Sequence, residues 1–152
     1  MPEMTLLGWF HTILGILAVL SGFYTLYKYR VISYDVSSGK LYILVTLLVA
    51  GSALGIYNQG GFGVAHVLAV LTLIALAGGY IMERYKWFGS FSKYFQALGY
   101  TSTLLFHMIP AITDFLRRLP VGDTFIDSFE DPLLLNFHLA FLIIYVVGII
   151  AQ

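Results

Sequence analysis

The sequence predicts an all-α membrane protein, a transmembrane bundle of about five helices in one domain over residues 1–152. Three observations lead there. First, 59% of the 152 residues are hydrophobic and 11% are charged, against roughly 45–50% apolar in soluble globular domains. Second, five apolar runs of near-spanning length follow one another, where a crossing helix needs about 20 mostly apolar residues. Third, basic residues collect in alternate connections and acidic residues in the others. Lys+Arg and Asp+Glu are eight each, so net charge gives no argument for nucleic acid or an acidic substrate. Cysteine is absent, which removes disulfides and thiolate metal sites from consideration.

The first run, 5–28, reads "TLLGWFHTILGILAVLSGFYTLYK". It follows Glu3 rather than a basic segment and lacks a small-residue cleavage site, so a retained span is expected. The second, 40–57, is the shortest, and its Gly51, Ala53 and Gly55 suit close helix packing. The third covers 62–83 and the fourth 93–116. Pro110 is tolerable in the fourth if neighbours and Thr113 satisfy the carbonyl it frees. The fifth, 132–151, opens on Pro132, whose missing N–H costs nothing in a first turn.

Orientation follows from the loops. Lys28, Arg30, Lys40, Arg84, Lys86 and Lys93, six of the eight basic residues, lie on one side. The other side holds the N-terminus, the 58–61 connection and the 117–131 loop. There Arg117 and Arg118 face Glu3, Asp114, Asp123, Asp127, Glu130 and Asp131. The positive-inside rule puts the N-terminus outside and the C-terminus in the cytoplasm. Aromatics such as Tyr27, Tyr85, Trp87 and Phe91 crowd the basic side, as an interfacial belt does. In the 117–131 loop, Phe125, Ile126 and Phe129 predict a short amphipathic segment on the outer surface, with Asp131 or its neighbours opening the fifth helix.

The four histidines, His11, His66, His107 and His138, fall on four different helices. Counting residues from the outer ends puts three of them roughly 6–9 Å deep and His107 about 14 Å deep, at 1.5 Å per residue. All four therefore lie in the outer leaflet. Ionisable residues inside spans are rare, face the bundle interior and tend to be functional. Imidazole is the commonest transition-metal ligand, and bundles build metal and cofactor sites from facing helices. The four histidines are thus candidate ligands of a metal or a haem. Structural histidines, each bonded to a nearby carbonyl or hydroxyl, are the competing reading.

Neighbouring residues add to the candidate site. Gly15 lies one turn after His11, and Gly63 precedes His66 by three residues; both leave room for a cofactor or a close helix. Thr103 shares a face with His107, and Tyr145 with His138. Asn136 and Asp114 are candidates to orient a ligand, and Asp114 is equally read as an interfacial carboxylate facing Arg117 or Arg118. Met108 points about 100° away from His107, which disfavours an axial Met.

Two histidines at matching depth on facing helices can hold one haem iron. That arrangement resembles the bis-histidine membrane cytochromes of the b type. Those place histidine pairs near both membrane faces, whereas here all four lie on one side, so a single haem b is expected rather than two. A compact imidazole site for copper, zinc or iron is the alternative; soft ligands on that side are limited to Met4 and Met108.

The segments "LGWFHTILGILAVLSGF", "GKLYILVTLLVAGSALGIY" and "FHMIPAITDFLRRLPVGDTF" resemble a family of bacterial multi-span membrane proteins defined by a domain of unknown function. The resemblance implies a helical fold and a place in the bacterial inner (cytoplasmic) membrane, and it implies no reaction. Members often carry a His-Arg pair before the second span, where this chain reads "SSGKLY". No nucleotide-binding, zinc-protease or serine-hydrolase motif is present. Apart from Asp114 at the interface, the span interiors hold no charge of the kind that ion-driven transport uses at the midplane. Three functions are expected in turn. The first is electron transfer through a haem or metal, linked to quinone. The second is a non-catalytic subunit of a larger membrane complex. The third is binding or delivery of a transition metal.

Overall fold

A computed structural model describes residues 5–57 and 61–152. Glu3, Met4 and most of the 58–61 connection lie outside the described residues. Among the described residues the chain is all-helical: α1 (Leu6–Tyr29), α2 (Ser37–Ala53), α3 (Val64–Tyr85), a 3-10 turn (Gly89–Phe91), α4 (Ser92–Arg118) and α5 (Pro132–Ile150). These are the five expected elements, displaced by at most four residues at their ends. Three of them, α1, α3 and α5, are long and apolar enough to cross a membrane. The helix α2 is apolar but spans 17 residues, and α4 has 27 residues but a more polar sequence. The reason is visible in the packing: Ser92, Thr101, Thr103 and His107 of α4 are buried in the bundle.

Local chemistry fixes the helix ends. The Thr5 hydroxyl accepts from Gly8 N–H at 3.1 Å and caps α1. At the other end Arg30 adopts φ 66° and its N–H closes on Leu26 O. Asp131 caps α5 by accepting from Leu133 N–H at 2.8 Å, with Pro132 in the first turn, as the sequence predicts. Inside α4 one expectation fails. Thr113 donates to Ile109 O at 2.7 Å, and so does not reach the carbonyl one turn before Pro110.

Consecutive helices run antiparallel and pack in order, α1 on α2, α2 on α3, α3 on α4 and α4 on α5, with α1 also meeting α4. The core sits between the first four: Ala18, Tyr42, Val45, Val49, Leu76, Tyr100 and Leu104. The Thr103 hydroxyl donates to Tyr100 O, so the Tyr42 hydroxyl donates to Thr103 at 2.6 Å and ties α2 to α4. By contrast, α5 buries only Leu134 and leaves its other apolar side chains exposed or half-exposed, a surface suited to lipid.

At the basic end, Glu83 gathers three donors. Its carboxylate accepts from the Ser33 hydroxyl, from Tyr34 N–H at 2.9 Å and from the Tyr100 hydroxyl at 2.8 Å. The side chain thereby ties the α1–α2 connection to α3 and α4. Exchange of Glu83 for Gln keeps an acceptor but removes its charge. We expect a loss of about 1 kcal/mol, the difference between charged and neutral hydrogen bonds. A detergent-solubilised thermal melt unchanged from wild type would contradict that account.

The segment after α4 is an irregular loop. Ile126 is buried against Leu116 and Leu134, which pins the loop onto α4 and α5. Phe125 stacks on Phe115 with centroids 6.1 Å apart.

Candidate functional site

Between α1, α4 and this loop lies a cavity of about 890 Å³. Ile16, Val19 and Leu20 of α1, Val49 of α2, and Pro110, Ala111 and Phe115 of α4 make its apolar walls. Leu119, Val121, Gly122 and Thr124 bring the loop over it. Its polar groups are few: His11, His107, Thr12, Thr124, the Trp9 indole, Asp114, Arg117 and Arg118. Gly15 lines it too, and a Cβ there would meet nothing within 4 Å. The absent side chain is therefore room in the cavity and not a close helix contact.

His11 is held from α2. Its Nδ1 lies 3.2 Å from Val49 O and 3.0 Å from Ser52 Oγ. A carbonyl can only accept, so the tautomer that satisfies this contact carries the proton on Nδ1, and in it Nε2 keeps its lone pair. This is the arrangement metal-ligating histidines use, where the outer N–H is fixed by a carbonyl and the other nitrogen is left for the metal. His107 is buried, with Nε2 3.1 Å from the Thr46 hydroxyl and its ring 6.4 Å, edge-on, from that of Tyr42. Among the described residues its Nδ1 has no hydrogen-bond partner.

The other two histidines do not line this cavity. His66 sits between the rings of Tyr57 and Phe62, at centroid distances of 4.7 and 5.1 Å, and its Nδ1 accepts from Gly63 N–H. Gly63 is the residue before α3, and its N–H serves the His66 ring. His138 reaches the Thr113 hydroxyl at 3.3 Å. Among the described residues no group of three or more His, Asp or Glu is placed to hold a metal ion. Among the described residues the four imidazoles are thus not gathered about one point: His66 sits by the start of α3, and His138 turns to Thr113 of α4.

The remaining candidates divide in the same way. Thr103 bonds Tyr42 and not His107; the hydroxyl that does serve His107 is Thr46. Tyr145 bonds Ser102 at 2.7 Å, not His138, and Asn136 is exposed. Asp114 lies at the cavity and pairs with Arg118 at 3.6 Å. Thr46 escaped the sequence reading, which places Arg117 and Arg118 beside Asp114 but not at a cavity. A lone Thr in the apolar run "ILVTLLVAG" was a usable signal, since a hydroxyl in a span has to find a partner.

No protein-family model, curated protein or solved structure matches the chain. The functional reading rests on the cavity and its two imidazoles.

Proposed function

We propose that the chain is a five-span protein of a bacterial inner membrane that binds one haem in the α1–α4 cavity and transfers electrons there. The observation that carries this is the pairing of His11 and His107 on two helices lining one apolar cavity, with His11 Nε2 left as a lone-pair donor. The size fits as well: about 890 Å³ lies near the top of the roughly 300–1,000 Å³ range of small-molecule pockets. His11 and His107 would hold the group, Val49, Ser52 and Thr46 would orient the two rings, and the apolar walls would exclude water. A haem so bound supplies one-electron chemistry, with its potential set by ligands and burial. Membrane quinol is the electron donor this placement favours.

The optical spectrum of the purified protein tests the reading. A Soret band that shifts on reduction is expected. A quinol is the second reading, favoured by the same lone pair on His11, which can accept a hydroxyl proton; quinone extracted from a haem-free sample would point there. A metal without porphyrin would indicate delivery of a transition metal. A sample with none of these would leave an accessory subunit.

Topology has its own test. The loops 30–36 and 86–91 are cytoplasmic in this proposal and the 119–131 loop is outside. Ser37 and Asp123, both exposed, are to be replaced singly with Cys. An impermeant thiol reagent added to intact cells with a permeabilised outer barrier should label the Asp123 position and spare the Ser37 position. The reverse pattern would invert the protein and the side of the cavity.

A further inference from the structure

We infer that Arg117 and Arg118 form a carboxylate-binding subsite at the mouth of the α1–α4 cavity, so that the ligand filling it is an amphiphile carrying acid groups there. This rests on the cavity being a ligand site, but not on that ligand being a haem.

Both arginines line the cavity that His11 and His107 line. The Nε atom of each is buried, and among the described residues neither has a hydrogen-bond partner. A guanidinium does not lose its proton in proteins, so a buried N–H without an acceptor is costly and calls for one. Asp114 does not supply it. Its Oδ1 lies 3.6 Å from Arg118 Nε, beyond hydrogen-bond length, and its side chain is 63% exposed. Arg117 has no carboxylate within ion-pair distance among the described residues.

The geometry leaves the guanidiniums ready for a ligand. The Arg117 guanidinium carbon lies 3.8 Å from the centroid of the Phe129 ring. The Phe129 ring lies against the guanidinium on one side, and Arg117 lines the cavity. A guanidinium edge and a carboxylate match two bonds to two. Ten residues separate His107 from Arg117, about 15 Å of helix rise. The ligand therefore has an apolar body beside the histidines and acid oxygens at the outer end. A porphyrin with its two propionates has this form, and so does a fatty acid; a quinol does not.

The test uses the whole protein in neutral phosphatidylcholine nanodiscs with Trp87→Phe. Trp9, which lines the cavity, is then the sole tryptophan. Its quenching reports binding of protoporphyrin IX and of protoporphyrin dimethyl ester; competition reports palmitate and methyl palmitate. An acid is expected to bind about tenfold or more tightly than its ester, the size of a charge-assisted pair. Arg117→Gln with Arg118→Gln should remove that preference and leave ester binding in place. Equal affinity for acid and ester in the unmutated pair, or no binding of either acid, would overturn the subsite, and this arm needs no arginine variant to fold. A preference for palmitate over its ester without porphyrin binding would uphold the subsite and sink the haem reading. Porphyrin binding without acid preference would do the reverse.

Discussion

Gly99→Val is expected to destabilise the bundle by about 3 kcal/mol, the upper part of the range for overpacking. The contact between α3 and α4 is the reason. A Cβ at Gly99 would lie 2.8 Å from Ala75 O and 2.9 Å from Gly79 N. Both atoms belong to backbone, which cannot rotate away as a side chain would. The other side of the contact is as tight, because a Cβ at Gly79 would come 2.8 Å from the Tyr100 ring. Small residues let membrane helices approach closely, and here they also set the height at which Tyr100 meets Glu83. A larger residue at 99 has to push α4 outward and break that bond. Gly78 is the control. A Cβ there meets nothing within 4 Å, and Val replaces Gly in a helix without penalty from propensity. Thermal unfolding in detergent should separate the two variants clearly. Equal midpoints would mean that the α3–α4 contact is not close-packed.

The helices were readable in the sequence because their signal is local. Apolar run length, Pro132 at a first turn and Gly or charge at the ends need no knowledge of neighbours, so the ends fall within four residues of expectation. The polar character of α4 was visible too, but its meaning depends on burial: Thr103, fully buried, and His107 face other helices and so need not meet lipid. The site was only half readable. Depth along each helix follows from counting residues, and it put the histidines in one half of the bundle. Direction around each helix depends on which neighbours pack where, and that is a property of the whole bundle. His11 and His107 turn to a common cavity, whereas His66 turns to Tyr57 and Phe62 beside its own helix start. Glu83 was hidden for the same reason. At the end of an apolar run beside Arg84 it reads as an interfacial charge, and its three donors come from the 33–34 segment and from α4.

If the α1–α4 cavity holds the proposed haem, His11→Ala is expected to remove it while the protein remains folded. His11 is half-buried, and its partners Val49 O and Ser52 Oγ already bond each other at 2.9 Å. Loss of the ring therefore leaves neither of them without a partner, and the cost to stability stays near that of one side-chain hydrogen bond, about 1 kcal/mol. His107→Ala should also abolish the chromophore, but with a larger loss of stability, because the ring is buried and the Thr46 hydroxyl, itself fully buried, loses a partner. Thr46→Val isolates the orienting role. It keeps the shape, removes the hydroxyl and leaves the His107 ring in place. Groups that orient a metal-bound histidine typically change affinity by about 10–100-fold, so haem content should fall without reaching zero. Soret absorbance per protein, measured beside a thermal melt for each variant, reads both effects at once. A graded series, with wild type highest, Thr46→Val lower and both histidine variants at baseline, is the result expected if both imidazoles hold the group. His66→Ala and His138→Ala should keep full absorbance, since neither ring lines the cavity. Loss of the chromophore in His66→Ala with retention in His11→Ala would overturn the proposed α1–α4 site.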